Sequence, residues 1–325
     1  MHGTAIPCGA SSNARPHSGV LEPYSKHRRY NSPICQNLAM DHETLELAKA
    51  IGRCSTSIAV DVPLEGEHQG QALLRAANPC NRRLCPFCEW RRSRAWRRRF
   101  FEGLPKFHED FPTHQAIFLT LTVKNCPVDE LRGTINEMHK AWNRMHQCAF
   151  FPSKFWFRRT EITKQGGDPH SLEPLHFHPH IHSVIFVPAG YFGRNYVKQT
   201  EWQKQWQMAA RLDYAPVVDV RRAKTRSSSG GATIEQSRSA ALEATKYATK
   251  ATDLIAMGSA LGTYHWAIKG LRLSSSSKSL KPYLSDAPIA ESELVDSETG
   301  DGGPTARGKA LWFEDVQEYL FTDLT

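Results

Sequence analysis

The chain has 325 residues, of which 41 are lysine or arginine and 33 are aspartate or glutamate, so its formal net charge is +8 with histidine neutral. Hydrophobic residues make up 40% of the chain, which permits a sizeable core and excludes wholesale disorder. No apolar run approaches the ~18 residues of a membrane helix or resembles a secretory signal, and the positive excess favours an anionic partner, nucleic acid first.

The N-terminal segment is polar and basic. Residues 1–40 are rich in Ser, Pro, Asn, Gly, His and Arg without periodicity, so they predict a flexible basic arm. The next segment, 41–51, has apolar residues at helical spacing, and Asp41 can cap it. It therefore predicts a short helix at the start of a Cys-rich basic module.

Cysteines are concentrated after this helix. Cys80, Cys85 and Cys88 form a C-x4-C-x2-C run, and without a secretory signal such a run is more typical of metal binding than of disulfides. Four thiolates are a common structural zinc site. The pattern predicts zinc on these three residues and Cys54, with His68 as the rival fourth ligand and free buried thiols as the alternative. Reduced thiols also suit a cytoplasmic location.

An arginine-rich helix is predicted over residues 89–101. Its arginines suit contacts with DNA phosphates, and the alternative is a solvated basic face. The interleaved Trp90 and Trp96 are assigned to packing rather than to base stacking. The side chains expected to bind DNA are Arg91, Arg92, Arg94, Arg97 and Arg98.

Strand and helix patterns alternate in the middle of the chain. In residues 116–123, Leu119 and its apolar neighbours alternate with Thr120 and Thr122, which is typical of a strand with one face in the core. The threonines either line the DNA side of the sheet or reflect β-propensity alone. Further strands are predicted at 155–163, 180–187 and 216–220, and helices at 128–148 and 201–212.

A histidine cluster leads into the strand at 180–187. On a strand, His180 and His182 project from the same face and can chelate one divalent ion. The third ligand is either His178 or Glu161, because antiparallel pairing would bring Glu161 of the preceding strand alongside. An imidazole–carboxylate site with open positions suits Mg²⁺ or Mn²⁺ bound to phosphate, although imidazole also accepts Zn²⁺. The alternative is a surface histidine cluster without a function.

A helix predicted from Gln236 to Met257 carries a second motif. Glu243 lies four residues before Tyr247, and Lys250 lies three residues after it, so a continuous helix would place them on one face. A phenol is a weak nucleophile at neutral pH because its unperturbed pKa is ~10. A nearby lysine or metal ion favours phenolate, and a carboxylate can activate water. The alternative is a solvated helix face with one half-buried tyrosine.

The C-terminal segment 286–325 differs in charge and pattern. Between residues 286 and 301 there are six acids and no base, which predicts a disordered acidic stretch. Residues 310–321 place apolar side chains beside acids. That pattern suits an amphipathic helix, packed on its own domain or docked on a partner.

Three of these motifs occur in an order that resembles a known family. FLTLTVKN (118–125), HPHIH (178–182) and EATKYATKATD (243–253) closely resemble motifs of the rolling-circle replication initiators of small bacterial plasmids, in the HUH endonuclease superfamily. HUH corresponds to the triplet from His180 to His182. The run from Arg82 to Arg92 also resembles the cysteine motif of this family.

The resemblance assigns roles residue by residue. Tyr247 stands at the position of the nucleophile, and Lys246 and Lys250 match the lysines around it. Glu243 stands where the single-tyrosine branch has a glutamate that activates water for the terminating cleavage, and no second tyrosine occurs three or four residues away. The metal-binding histidines of the family are matched by His178, His180 and His182.

The resemblance also implies a reaction and its partners. Such an initiator binds a double-strand origin, and its tyrosine attacks one strand with Mg²⁺ or Mn²⁺, leaving a 5′-phosphotyrosine and a 3′-OH for host polymerase and helicase. Two other functions stay open at this point. One is another HUH enzyme, a mobilisation relaxase or a transposase. The other is a non-catalytic zinc-bearing DNA-binding regulator, which leaves the histidine and tyrosine motifs unexplained.

The expected fold class is α+β, an antiparallel β-sheet flanked by helices, preceded by a small Cys-rich, zinc-binding module. The sheet arrangement is implied by the resemblance, which covers roughly residues 54–285. The expected domains are a basic arm (1–40), a Cys-rich basic module (41–110), a nicking domain (111–285) and an acidic tail with an amphipathic helix (286–325).

Overall fold

The computed structural model describes residues 18–66, 69–166, 175–223, 232–246, 248–284 and 304–325. Several positions singled out in the sequence lie outside the described residues: the start of the basic arm, the rival zinc ligand His68, the nucleophile candidate Tyr247 and the acidic stretch 286–301. None of the helices in the described ranges is long and apolar enough to cross a membrane.

Helices and strands occur throughout the described ranges. The α-helices are α1 (Glu22–Arg29), α2 (Asn31–Ala39), α3 (Leu45–Gly52), α4 (Pro86–Asp110), α5 (Val128–His146), α6 (Gln199–Ala210), α7 (Ala232–Ala244), α8 (Ala251–Ile255) and α9 (Leu261–Ile268). The strands are β1 (Ser57–Pro63), β2 (Leu73–Ala77), β3 (Gln115–Thr122), β4 (Cys126–Pro127), β5 (Trp156–Gln165), β6 (His176–Val187), β7 (Val218–Arg222), β8 (Ser274–Ser276), β9 (Thr305–Phe313) and β10 (Glu318–Leu324).

The larger sheet has the strand order β7-β3-β6-β5-β8, with antiparallel neighbours and with β4 paired to β6. Alternation along β3 puts Leu119 and Leu121 on one face, where they pack with Ile181 against Trp142 of α5 and Trp206 of α6. These side chains are fully buried, and burial of each aliphatic one contributes about 1.5–3 kcal/mol. The predicted α+β fold, an antiparallel sheet flanked by helices, is confirmed.

The opposite face of this sheet is apolar in one half and polar in the other. In the apolar half, Phe118 of β3 and Phe157 of β5 pack with Phe100 of α4, and α7 joins the same cluster. The rings of Phe100 and Phe157 meet edge to face with centroids 5.1 Å apart. Further along the strands, this face carries threonine, histidine and glutamate, and the candidate active site begins there.

The smaller sheet joins the two ends of the described chain, in the order β10-β9-β1-β2. The amphipathic helix predicted over 310–321 is wrong, because these residues form the hairpin of β9 and β10. Ala310 and Tyr319 are buried beside Ile58 of β1, and Gln317 turns the chain with a φ of +54°. Pairing with β1 provides backbone partners that a local helical pattern does not anticipate.

The prediction of a flexible arm is wrong for its described part, which forms α1 and α2. Tyr24 and Leu38 are 2% and 0% exposed. Arg28 is also buried: its Nη2 donates to the carbonyl of Gly52 at 2.6 Å, and its guanidinium lies 5.1 Å from the Trp312 ring. The segment is polar in overall composition, but a few buried apolar side chains pack it against the small sheet and the helices beside it.

The single helix predicted from Gln236 to Met257 is also wrong. α7 ends at Ala244, and α8 begins at Ala251. The carbonyl of Thr245 accepts a hydrogen bond of 2.6 Å from Ser93 Oγ of α4. That carbonyl is therefore held by a neighbouring helix instead of continuing α7.

Candidate active site

The register of β5 and β6 brings one carboxylate beside two histidines on the polar half of the large sheet. Glu161 of β5 lies directly opposite His180 of β6. Its Oε2 is 3.1 Å from Nε2 of His182 and 3.6 Å from Nε2 of His180. The candidate ligand atoms of all three residues lie within 4.8 Å of one another. We call this group the Glu-His-His cluster.

His178, the other expected third ligand, has a different partner. Its Nδ1 is 2.8 Å from Oδ1 of Asn125, just beyond the end of β3. Among the described residues of this sheet, the group with metal-ligand geometry includes Glu161 and leaves out His178. Of the two candidates for the third position, the geometry therefore favours Glu161.

Each clustered histidine is oriented through its other ring nitrogen. Nδ1 of His180 is 3.1 Å from the carbonyl oxygen of His178, and Nδ1 of His182 is 3.1 Å from Oγ1 of Thr120 on β3. These hydrogen bonds hold the planes of both rings, and at His180 the carbonyl acceptor requires the proton to be on Nδ1. Both Nε2 atoms are thereby directed at Glu161. Thr122, the next threonine on this face, instead donates to the carbonyl of Val217.

The electrostatics of Glu161 suit a metal ligand. Burial opposes its ionisation, but hydrogen bonds with His180 and His182 outweigh that effect and hold the pKa of this carboxyl well below its usual range. In an octahedral site with ligands about 2.1 Å from the ion, neighbouring ligand atoms are about 3.0 Å apart. Oε2 of Glu161 is 3.1 Å from Nε2 of His182 and 3.6 Å from Nε2 of His180, so the three residues could hold one divalent metal ion.

The segment between α7 and α8 is fastened next to the cluster. The carbonyl of Ala248 accepts a hydrogen bond of 2.8 Å from the backbone N–H of Ile162, which directly follows Glu161 on β5. The hydroxyl of Thr249 is 2.5 Å from that of Tyr264 on α9, which is fully buried. The two residues that follow Tyr247 in the sequence are thus held beside the strand that supplies the carboxylate.

The polar residues around Tyr247 do not share one helix face as predicted. Lys246 Nζ is 2.6 Å from Oε2 of Glu243, and both side chains are about half exposed. Lys250 is exposed and lies at the N-cap of α8, in an extended conformation. Glu243 is therefore at the end of one helix and Lys250 at the start of the next.

The four cysteines predicted to bind zinc lie together. The Sγ atom of Cys54 is 3.5 Å from that of Cys85 and 3.6 Å from that of Cys88, and Cys80 is 3.7 Å from Cys88. All four sulfur atoms lie within 4.8 Å of one another. In a tetrahedral site with Zn–S bonds of about 2.3 Å, neighbouring sulfurs are about 3.8 Å apart, so the four residues fit zinc.

The surroundings of these sulfurs also suit thiolates. The backbone N–H groups of Cys80 and Arg82 donate to the sulfurs of Cys54 and Cys80, respectively. Side-chain hydrogen bonds from Cys80, Cys85 and Cys88 lower the pKa of Cys54 even though burial opposes this shift, whereas burial raises the pKa of Cys85 and the hydrogen bond with Cys54 raises the pKa of Cys80. Donors around the sulfurs stabilise negative charge, which four thiolates on one ion require.

Two of the α4 arginines that were predicted to contact DNA are instead buried or hydrogen-bonded within the protein. Arg91 is 4% exposed, which is contrary to its expected contact with DNA phosphates. Arg92 donates to Glu89 at 2.6 Å and to the carbonyl of Asn81. The other predicted phosphate contacts are partly exposed on this helix, at Arg94, Arg97 and Arg98.

A buried ion pair lies beside the cluster and was not predicted from the sequence. Arg159 of β5 lies opposite His182 in the register, and its Nη2 donates to Oε2 of Glu89 at 3.0 Å. Both side chains are nearly inaccessible, with relative exposures of 6% and 10%. The available signal was the alternation in RRTEIT, which puts Arg159 on the same face as Glu161. This pair connects α4 to the sheet beside the Glu-His-His cluster.

Comparisons with known proteins point to one family. A family model described as "Replication protein" matches residues 71–316. "Protein rep" of a Bacillus species is 35% identical over 203 residues, which are 57% of this chain and 61% of that protein. "Protein rep" of Streptococcus pneumoniae serotype 2 is 35% identical over 160 residues, 48% of each chain.

A third relative is matched over a longer part of its length. "Protein rep" of Lactiplantibacillus plantarum is 31% identical over 232 residues, which are 68% of this chain and 69% of that protein. The chain spans 48% to 61% of the length of the first two relatives. No solved structure matches the chain at a significant level.

Proposed function

The chain belongs to the replication-protein family whose model it matches, and on this premise we propose that it initiates rolling-circle replication of a plasmid. It nicks one strand at a double-strand origin, with Tyr247 as the nucleophile and a divalent ion on the Glu-His-His cluster. The free 3′-OH then serves as the primer for host polymerase, while a host helicase unwinds the duplex.

One observation carries the proposal. Ala248, which directly follows Tyr247 in the sequence, is hydrogen-bonded through its carbonyl to Ile162, the residue after Glu161 on β5. A nucleophile motif next to a carboxylate and two imidazoles supplies what phosphoryl transfer needs, a nucleophile and a charge-neutralising site. A non-catalytic DNA-binding regulator has no use for this combination.

The chemistry can be written for the side chains. The phenolate oxygen of Tyr247 attacks the scissile phosphorus, a P–O–tyrosine bond forms, and the bond from phosphorus to the 3′-oxygen breaks. The charges of Lys246 and Lys250 favour the phenolate. The phosphodiester is retained in the 5′-phosphotyrosine, so a later attack by a 3′-OH can rejoin the strand. A divalent ion bound by Glu161, His180 and His182 would withdraw charge from the phosphate.

Nicking of supercoiled DNA tests this proposal. The protein is mixed with supercoiled plasmid carrying its origin, with added Mn²⁺ or Mg²⁺, and the conversion to open circles is followed on a gel. We expect origin-dependent nicking with protein attached to the 5′ end. Tight binding of the origin without any nicking would instead support a DNA-binding regulator. Cutting that depends on a transfer origin would support a relaxase.

Replacing Glu243 should separate the first cleavage from the last. Its pairing with Lys246 is about half exposed, and such pairs are worth about 0–1 kcal/mol, so the carboxylate is released easily to act on water. We expect Glu243→Ala to nick at the wild-type rate but to release about tenfold less closed single-stranded circle. A general base typically accelerates a reaction by a factor of about 10²–10⁴, and bulk water replaces part of that acceleration when the carboxylate is absent.

The control for this variant is Glu235→Ala, which removes an exposed carboxylate of α7 that pairs with Arg238. It should nick and terminate like the wild type. Product circles are quantified after one round of replication. Equal termination by Glu243→Ala and the wild type would remove the proposed role of Glu243.

A further inference from the structure

A cleft lies between the N-terminal helix α1, the first turn of α4 and the residues that follow Tyr247. Its volume is about 280 Å³. Its lining includes Lys26 and His27 of α1, Tyr30 directly after that helix, and residues 249–252 and 254. The lining includes no residue of the Glu-His-His cluster or of the cysteine group. We call it the α1 cleft.

The charges of the cleft suit an anion. Lys26 and Lys250 are exposed and both line the cleft, one from α1 and the other from the N-cap of α8. Glu89 is the acidic residue among the lining residues, and its two carboxylate oxygens accept hydrogen bonds from Arg92 at 2.6 Å and from Arg159 at 3.0 Å. Because two arginines neutralise that carboxylate, the two lysines make the electrostatic potential in the cleft positive.

The walls also offer flat and apolar surface. Tyr30 is half-buried, and Pro86 and Leu254 lie beside it in the lining. His27 is stacked on Trp90, with ring centroids 4.9 Å apart and an interplanar angle of 21°. Aromatic rings next to cations are the combination by which proteins hold unpaired nucleotides, with the base on a ring and the phosphate on a cation.

The cleft is connected to the candidate active site by two links. Lys250 lies in the fastened segment, three residues after Tyr247. Glu89 binds Arg159, which lies opposite His182 in the sheet. The lining residue Glu89 is therefore in contact with β5, the strand that supplies Glu161 to the Glu-His-His cluster.

We propose that the α1 cleft binds one unpaired nucleotide of the origin strand next to the scissile phosphate, with its phosphate between Lys26 and Lys250 and its base against Tyr30. This inference rests on the proposed nicking function and adds a subsite to it. It also means that helix α1, which lies in the segment predicted from composition to be a flexible arm, contacts the DNA directly.

Binding of single-stranded DNA tests the subsite without cleavage. The full chain with Tyr247→Phe is titrated into a labelled oligothymidylate of about 12 nucleotides, without added Mg²⁺ or Mn²⁺, and fluorescence anisotropy is recorded at several salt concentrations. Adding Lys26→Ala should weaken binding about threefold and reduce the salt slope by about 0.7, because one phosphate contact is lost. Adding Tyr30→Ala should weaken binding about tenfold with the slope unchanged.

The matched control is Lys49→Ala on α3, which removes the same charge from an exposed pair with Glu46 outside the cleft. It should leave affinity and slope within error of the parent. Tyr30→Phe retains the ring and should bind within twofold of the parent. Lys26 is exposed, so its variant folds and decides the question even if Tyr30→Ala does not fold.

The outcomes separate the subsite from the function. If Lys26→Ala binds with the affinity and salt slope of the parent, while the wild type nicks origin plasmid, the subsite is wrong and the function stands. If the wild type does not nick origin plasmid, the proposed function fails, and a subsite next to a scissile phosphate fails with it.

Discussion

Glu161→Gln is expected to slow origin nicking by roughly 100-fold or more, with the fold and duplex binding retained. The carboxylate is the one negatively charged member of the Glu-His-His cluster, and its Oε2 reaches both imidazoles. Stabilisation of transition-state charge by a metal ion is worth several kcal/mol, and each 1.36 kcal/mol is a factor of ten in rate. The amide keeps the shape of the side chain but is a much weaker ligand.

The control variants for this prediction are His178→Ala and Glu137→Gln. His178 bonds to Asn125 rather than to the cluster, and Glu137 is an exposed residue of α5 that pairs with Lys140. Mn²⁺ affinity, measured from the free-ion electron paramagnetic resonance signal, should fall at least tenfold in Glu161→Gln and stay within threefold of wild type in both controls. A large loss in His178→Ala with none in Glu161→Gln would reverse the assignment of the third ligand.

Cys85→Ser is expected to remove about one zinc per chain and to lower the melting temperature by more than 10 °C, or to prevent folding. Cys85 is 0% exposed, in a core that includes helices α1 to α3 and the small sheet. Structural zinc contributes about 10–16 kcal/mol in zinc-finger peptides, which exceeds the total stability of many domains. Without the ion, four sulfur ligands would also be left crowded at the centre of the module.

Two further measurements keep the zinc prediction decisive. The wild-type protein, purified without added metal, should contain about one zinc per chain by inductively coupled plasma mass spectrometry. Cys148→Ser changes an exposed free cysteine and should keep both the zinc and the melting temperature. A folded wild type with almost no zinc would contradict the assignment whatever Cys85→Ser does.

Local patterns were sufficient to predict four strands of the large sheet and one half of the site, whereas the antiparallel arrangement of those strands was expected from the family resemblance. Alternation in β3 and β6 predicted their buried faces, and the same alternation placed His180 and His182 together. The choice between His178 and Glu161 was not available from the sequence, because it depends on the register of β5 against β6. A shift by one residue there would turn Glu161 to the other face.

Long-range contacts explain the parts that sequence patterns missed. The break after α7 depends on Ser93, which is 152 residues away from Thr245. The C-terminal hairpin depends on β1, since β9 pairs along the whole of that strand. The helical segment α1 depends on partners such as Ala72, whose carbonyl accepts the Tyr24 hydroxyl. A pattern read from a short stretch of sequence cannot reveal any of these partners, because each of them is distant along the chain.

Mapping of the covalent adduct tests the central claim most directly. The protein is incubated with a single-stranded oligonucleotide that spans the nick site and with Mn²⁺, digested with a protease, and analysed by tandem mass spectrometry. We expect nucleotide attached through a phosphodiester to Tyr247, and no adduct in Tyr247→Phe. An adduct on another residue, or nicked DNA with a free 5′-phosphate and no attached protein, would contradict the assignment of Tyr247 as the nucleophile.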